Sequence, residues 1–128
     1  MEMQAHQPIR VLIVDDQARA RKSLKALLST WSLVGEVHEA ADGREAVQLV
    51  QALRPDVVLM DVRMPELDGL QATAQIKALW PQVKIIVLSI YSEYQDEALA
   101  LGADAFVVKG ETPDKLLDFL SAVIGRGV

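Results

Sequence analysis

Five residues in four separate segments carry side chains suited to phosphoryl chemistry: Asp15 and Asp16, Asp61, Ser89, and Lys109. Each stands at the end of a short apolar run. Three carboxylates within about 4 Å of one another would repel by roughly 4 kcal/mol per pair at an effective dielectric of 20, so such a cluster needs a compensating cation. The chain has no Cys, and neither His6 nor His38 neighbours the acids in sequence. An all-oxygen donor set of this kind points to Mg²⁺ or a similar hard ion, and the two histidines read as surface residues. A hard divalent ion beside a carboxylate, a hydroxyl and an ammonium is the equipment of phosphoryl transfer, where charge on the equatorial oxygens is balanced from several sides. A carboxylate can itself be the nucleophile, and Asp61 is the candidate because its strand is expected at the centre of a sheet.

The segments between these residues show how they could be brought together. Ile9 to Val14 is an apolar run that breaks at Asp15-Asp16-Gln17. Leu24, Leu27, Leu28 and Trp31 then recur at helical spacing, with Arg19, Arg21, Lys22 and Lys25 expected on the wet side. Glu36 to Ala40 is a weaker, alternating strand, followed by a turn at Asp42-Gly43 and a helix through Ala46, Leu49, Val50 and Leu53 that Pro55 ends. Val57 to Met60 is a continuous apolar run of the type buried on both faces of a parallel sheet. Met64-Pro65 through Asp68-Gly69 is loop chemistry, and Leu70, Ala74, Ile76, Lys77 and Leu79 mark a third helix closed by Pro81.

Val83 to Leu88 reads as a fourth strand and Tyr94 to Leu101 as a short fourth helix capped by Gly102. Ala105 to Val108 is a fifth strand. Thr112-Pro113 reads as an N-cap with Pro at the first helical position, opening a helix that carries Leu116, Leu117, Leu120, Val123 and Ile124. Strands alternating with helices argue for one α/β domain built on a single doubly wound parallel sheet. In such a sheet the carboxyl ends of all strands share one edge, which is where ligands bind. Residues 1–8 read as a flexible N-terminal arm, 9–125 as the domain, and 126–128 as its C-terminal end or the start of a linker.

The segments Val14-Asp15-Asp16, Met60-Asp61-Val62-Arg63-Met64-Pro65 through Asp68-Gly69, Leu88-Ser89, and Gly102-Ala103-Asp104-Ala105-Phe106-Val107-Val108-Lys109 resemble the receiver domain of two-component response regulators. The match spans nearly the whole chain. The resemblance implies a CheY-like (βα)5 fold with strand order 2-1-3-4-5. It implies that Asp61 accepts a phosphoryl group from the phosphohistidine of a sensor histidine kinase, in a reaction the receiver catalyses on itself alone with Mg²⁺. Asp15, Asp16, Asp61 and the backbone carbonyl of Arg63 correspond to the metal ligands, and Ser89 and Lys109 to the groups that bind phosphoryl oxygens. Ser89 and Phe106 correspond to the switch pair, and Arg63 and Tyr91 to positions that tune the lifetime of the phosphorylated state.

Gly110 stands where many receivers have Pro, and the segment Gly110 to Asp114 with its Leu116-Leu117 helix is more similar to the NarL/FixJ-type subgroup. That subgroup implies a bacterial, cytoplasmic transcription regulator whose helix-turn-helix domain would follow this one. Its output surface would be the fourth helix, fifth strand and fifth helix, through a phosphorylation-dependent homodimer or a contact with the output domain. A stand-alone receiver acting in a phosphorelay or as a docking module is the alternative. A phosphatase of the haloacid dehalogenase type resembles this chain in its nucleophilic Asp, but wants a second Asp where Arg63 stands. A flavodoxin-like FMN carrier would want a Ser/Thr-rich phosphate loop in place of Asp15-Asp16.

The balance of 13 Lys plus Arg against 18 Asp plus Glu gives a net charge of -5 over 128 residues, which argues against direct nucleic-acid binding by this domain. Setting aside Asp15, Asp16 and Asp61 leaves 13 positive against 15 negative charges, so most of the excess belongs to one cleft. No apolar stretch approaches the roughly 20 residues that cross a bilayer, and the N-terminus lacks a signal-peptide pattern.

Overall fold

Short apolar runs become the strands, with β2 the alternating exception, and each hands over to a helix. The computed structural model describes residues 8–64, 67–110 and 113–124. Within them the order is β1 (Ile9–Val14), α1 (Ala18–Leu28), β2 (Val34–Ala40), α2 (Gly43–Leu53), β3 (Val57–Asp61), α3 (Gly69–Leu79), β4 (Lys84–Ser89), a 3-10 turn (Ser92–Tyr94), α4 (Gln95–Ala100), β5 (Ala105–Val108) and α5 (Pro113–Ile124). The five strands form one parallel sheet in the order β2-β1-β3-β4-β5. Residues 1–7 of the expected arm, with His6, the last expected domain residue at 125 and the expected C-terminal end at 126–128 lie outside the described residues, as does the expected N-cap Thr112.

Strand side chains alternate between faces, so the sheet has two cores. Leu12, Val14, Val58, Met60, Ile85 and Val87 pack with Ala46 and Val50 of α2, Leu70 and Ile76 of α3, and Ala98 of α4. Val11, Ile13, Leu59, Ile86 and Val107 pack on the other side with Leu28 of α1 and with Leu116 and Leu120 of α5. Burying a Leu or Ile side chain is worth about 1.5–3 kcal/mol, and both faces of β3 are closed in this way. That double burial explains why its sequence is unbroken apolar until Asp61.

Three elements differ most from their sequence expectation. The first helix stops at Leu28, short of Trp31, because the hydroxyls of Ser29 and Thr30 donate to the carbonyls of Ala26 and Leu27 (2.8 and 2.7 Å) and close its last turn. Trp31 still packs against the α1/α5 core. On α3 the buried face is Leu70, Ala72, Thr73 and Ile76, while Leu79 is 61% exposed, since the helix wedges between α2 and α4. The fourth helix begins at Gln95, one residue later than expected, after a tighter turn that ends at Tyr94. Smaller shifts extend β2 back to Val34 and move β4 to Lys84–Ser89.

Side-chain bonds hold both ends of α3. Asp68 caps α3 by accepting from the Gln71 backbone N–H (2.8 Å), and the Gln71 side chain accepts in return from Asp68 N–H (3.2 Å). Lys77 near the end of α3 donates to the carbonyls of Pro81 and Val83 and pairs with Asp104 at 3.1 Å, which fixes α3 to the turn before β5.

Candidate functional site

Sheet register brings the chemistry together. Val14 pairs with Met60, Asp61 with Leu88, and Ser89 with Val108, so the residues at or just beyond the strand ends meet along one edge. Asp15, Asp16, Asp61, Arg63, Ser89, Tyr91 and Lys109 all line a cleft of about 460 Å³ there. One carboxylate oxygen from each of Asp15, Asp16 and Asp61 lies within 4.8 Å of the others. Asp15 is buried, Asp61 half-buried and Asp16 exposed, so the cluster has an inner wall and an open side.

Lys109 is the cation of the site. Its Nζ donates to Asp15 Oδ2 at 3.0 Å and lies 3.2 Å from Asp61 Oδ1. Burial pushes the Asp61 carboxyl above its ordinary value, the Asp15 charge adds to the rise, and the Lys109 charge opposes it without cancelling it. Burial also pulls on the Lys109 ammonium, but the attraction of Asp61 and Asp15 outweighs it and holds that group above its ordinary value. The arrangement is a half-buried nucleophile candidate held by one ammonium, with three acids offering hard oxygen donors.

Ser89 sits on the neighbouring strand, buried, with its Oγ accepting from the Tyr91 backbone N–H at 3.0 Å. A hydroxyl that accepts in this way keeps its own proton free to donate toward the cleft. The Lys109 N–H donates to the Ser89 carbonyl at 2.8 Å, so the loops after β4 and β5 are joined where both meet the site. Phe106 is only 6% exposed and belongs to the α2/α3/α4 core, and Tyr94 packs on that core from its partly buried rim. Its ring already faces inward. Arg63 is exposed, and its guanidinium lies 4.8 Å from the Tyr91 ring centroid. Tyr91 in turn meets Tyr94 edge-on at 6.1 Å.

Residues 11–121 match the family model of the response regulator receiver domain. The chain belongs to the response regulator receiver family. Response regulator protein VraR from Staphylococcus aureus is 38% identical over 112 residues, an overlap that takes in 86% of this chain and 54% of the relative. This receiver therefore spans about half the length of the curated relatives it matches. Among solved structures, the signal receiver domain of the Mycobacterium tuberculosis response regulator NarL superposes with a TM-score of 0.87 at 30% identity, covering 94% of this chain and 98% of that one. The CheY of a CheX–CheY–BeF3–Mg²⁺ complex from Borrelia burgdorferi superposes with a TM-score of 0.84 at 29% identity, covering 91% and 89%. The CheY-like order and the NarL/FixJ-type similarity expected of the sequence are thus both found.

Two features of this receiver's site were not singled out in the sequence. Arg21, expected in solvent, has a side chain only 18% exposed and reaches back to the acidic loop. The available signal was its phase, since Arg21, Leu24 and Leu28 fall at i, i+3, i+7 on the stripe that faces the sheet. Gly69, read as a turn residue, is the first residue of α3 and packs on the phosphoacceptor candidate. A Cβ there would overlap the Asp61 carbonyl oxygen, and the Gly69 N–H donates to the Val62 carbonyl at 2.8 Å. Among the described residues no helix is long and apolar enough to cross a membrane.

Proposed function

We propose that Asp61 is the phosphoacceptor and that the receiver catalyses its own phosphorylation. The carrying observation is the position of Lys109, 3.2 Å from Asp61 Oδ1 and 3.0 Å from Asp15 Oδ2. An Asp61 oxygen attacks the phosphorus of a sensor histidine kinase's phosphohistidine, the P–N bond breaks, and its electron pair returns to the imidazole. Lys109 balances charge on one equatorial oxygen and Ser89 donates its hydroxyl proton to another.

Asp15, Asp16, Asp61 and the Arg63 carbonyl would hold Mg²⁺, and the fit rests on three hard carboxylate oxygens within 4.8 Å of one another. Bound there, Mg²⁺ supplies a counter-charge for the acids and for the incoming phosphoryl oxygens. The Borrelia burgdorferi CheY complex contains BeF3 and Mg²⁺ together, which supports a site of this class.

Phosphorylation adds about -1.5 to -2 charge and three acceptor oxygens. New bonds to Ser89 and Lys109 draw in two loops already joined by the Lys109 N–H to Ser89 carbonyl bond, and those loops lead into α4 and α5. Ser89 and Phe106 act as the switch pair, from strands adjacent in the sheet. The output surface is α4, β5 and α5, where Leu99 and Phe119 are exposed, and it serves a phosphorylation-dependent homodimer or an output domain. The output is transcription by a helix-turn-helix domain on the same polypeptide, a reading supported by the likeness to VraR and NarL. The protein works in the cytoplasm.

Incubation with Mg²⁺ and acetyl phosphate tests the chemistry. Intact mass should show one phosphoryl adduct that is lost on chelation of Mg²⁺ and in Asp61→Asn. An adduct formed equally well without Mg²⁺ would count against the metal assignment.

A further inference from the structure

Arg21 lies just over one helical turn beyond the acidic pair and makes two contacts at once. Its Nη1 donates to the main-chain carbonyl of Asp15 at 2.6 Å, and its Nε donates to Glu39 Oε1 on β2 at 3.0 Å. The Asp15 carbonyl belongs to the peptide joining Asp15 to Asp16, and that unit is planar, so holding its oxygen holds a plane common to both acids. Two further bonds grip the turn, from the Asp15 N–H to the Ala40 carbonyl at 3.1 Å and from the Gln17 N–H to Asp15 Oδ1 at 2.9 Å. Both of these locate Asp15. Among the described hydrogen bonds, the one from Arg21 holds the peptide that leads into Asp16.

We propose that Arg21 is a positioning residue for the cation site, which ties the Asp15-Asp16 peptide to Glu39 of β2 and so presets both carboxylates; the proposal rests on the Mg²⁺ reading above. Asp16 is the exposed member of the acidic cluster and has the most freedom to lose when a cation binds. A guanidinium suits the task because its planar fork reaches a carbonyl and a carboxylate in fixed directions, which an ammonium cannot do. Groups that orient metal ligands typically change metal affinity by about 10- to 100-fold when removed.

Arg21→Lys is the discriminating variant because it keeps the positive charge and removes the fork. Titration of the metal-free protein with Mg²⁺ alone, followed by calorimetry, should give a Kd raised by roughly tenfold. Backbone relaxation should show the Asp16 amide gaining mobility in the same variant before metal is added. Glu39→Gln, which leaves Arg21 in place but weakens its anchor, should raise the Kd by a smaller factor that persists at high salt, where charge effects are screened. It also serves if Arg21→Lys does not fold. A Kd within about twofold of wild type, or a raised Kd with an unchanged Asp16 amide, overturns the positioning role. A wild-type protein that shows no saturable Mg²⁺ binding overturns the metal-site reading itself, and the two failures are therefore distinct.

Discussion

Lys109 Nζ stands 3.2 Å from Asp61 Oδ1 while donating to Asp15 Oδ2 at 3.0 Å, so one ammonium is shared by two carboxylates from different strand ends. In the absence of a metal this contact offsets part of the repulsion within the acidic cluster. Lys109→Ala should destabilise the metal-free protein by about 1–3 kcal/mol, less than for a fully buried pair because the side chain is 31% exposed. The same variant should bind Mg²⁺ more tightly than wild type, since a competing cation has gone. Acyl phosphate formation should no longer shift the amides of Gln95 to Ala100. Calorimetry and amide spectra check both halves, and weaker Mg²⁺ binding would contradict the first.

The raised Asp61 value carries a pH dependence for the metal-free protein. A carboxyl that holds its proton more tightly when folded favours the native state at acid pH. That contribution is lost as pH rises from the ordinary 3.8 through the higher folded value. Ionised Asp61 therefore costs stability at neutral pH. Asp61→Asn should melt at a higher temperature than wild type at pH 7 without metal, with the advantage disappearing below the ordinary carboxylate range. Saturating Mg²⁺ should stabilise wild type more than the variant.

Gly69 is fixed by space, since its added Cβ would fall inside contact distance of the Asp61 and Val62 backbone. Gly69→Ala should cost about 1–3 kcal/mol in denaturant unfolding, as overpacking does, and should slow phosphorylation by displacing Asp61. A variant with unchanged stability would mean that α3 can shift away freely.

Arg63 and Tyr91 stack on each other at the mouth of the cleft. An exposed cation–π pair is worth about 0.5–1 kcal/mol, so if the stack shields the acyl phosphate from water, Tyr91→Ala should shorten its lifetime by roughly two- to fivefold. Tyr91→Phe should keep most of the wild-type lifetime. Loss of phosphate followed over time by intact mass decides the matter, and a longer lifetime in Tyr91→Ala would reverse the sign of this account.

Much of this was legible in the chain because strands buried on both faces leave a clear trace. The runs at 9–14, 57–60 and 105–108 are nearly unbroken apolar, and the acids, Ser89 and Lys109 stand at strand ends. What escaped depends on neighbours distant in sequence. Leu79 looks like a core residue until α2 and α4 are seen to claim the Thr73 side of α3. Arg21 looks like a solvated charge until Glu39, 18 residues away, is brought beside it by β2. Gly69 looks like turn punctuation because the backbone it touches belongs to another element. Phe106 was identifiable as an aromatic of β5, but its burial follows from the core that α2, α3 and α4 build around it.

The central claim is that the phosphoryl group resides on Asp61, and reductive trapping tests it most directly. Borohydride reduces an aspartyl phosphate to homoserine and leaves a free carboxylate untouched. After reaction with acetyl phosphate and Mg²⁺, peptide sequencing by mass should find homoserine at position 61 alone. Homoserine at Asp15 or Asp16, or a stable adduct that yields none at position 61, would contradict the account.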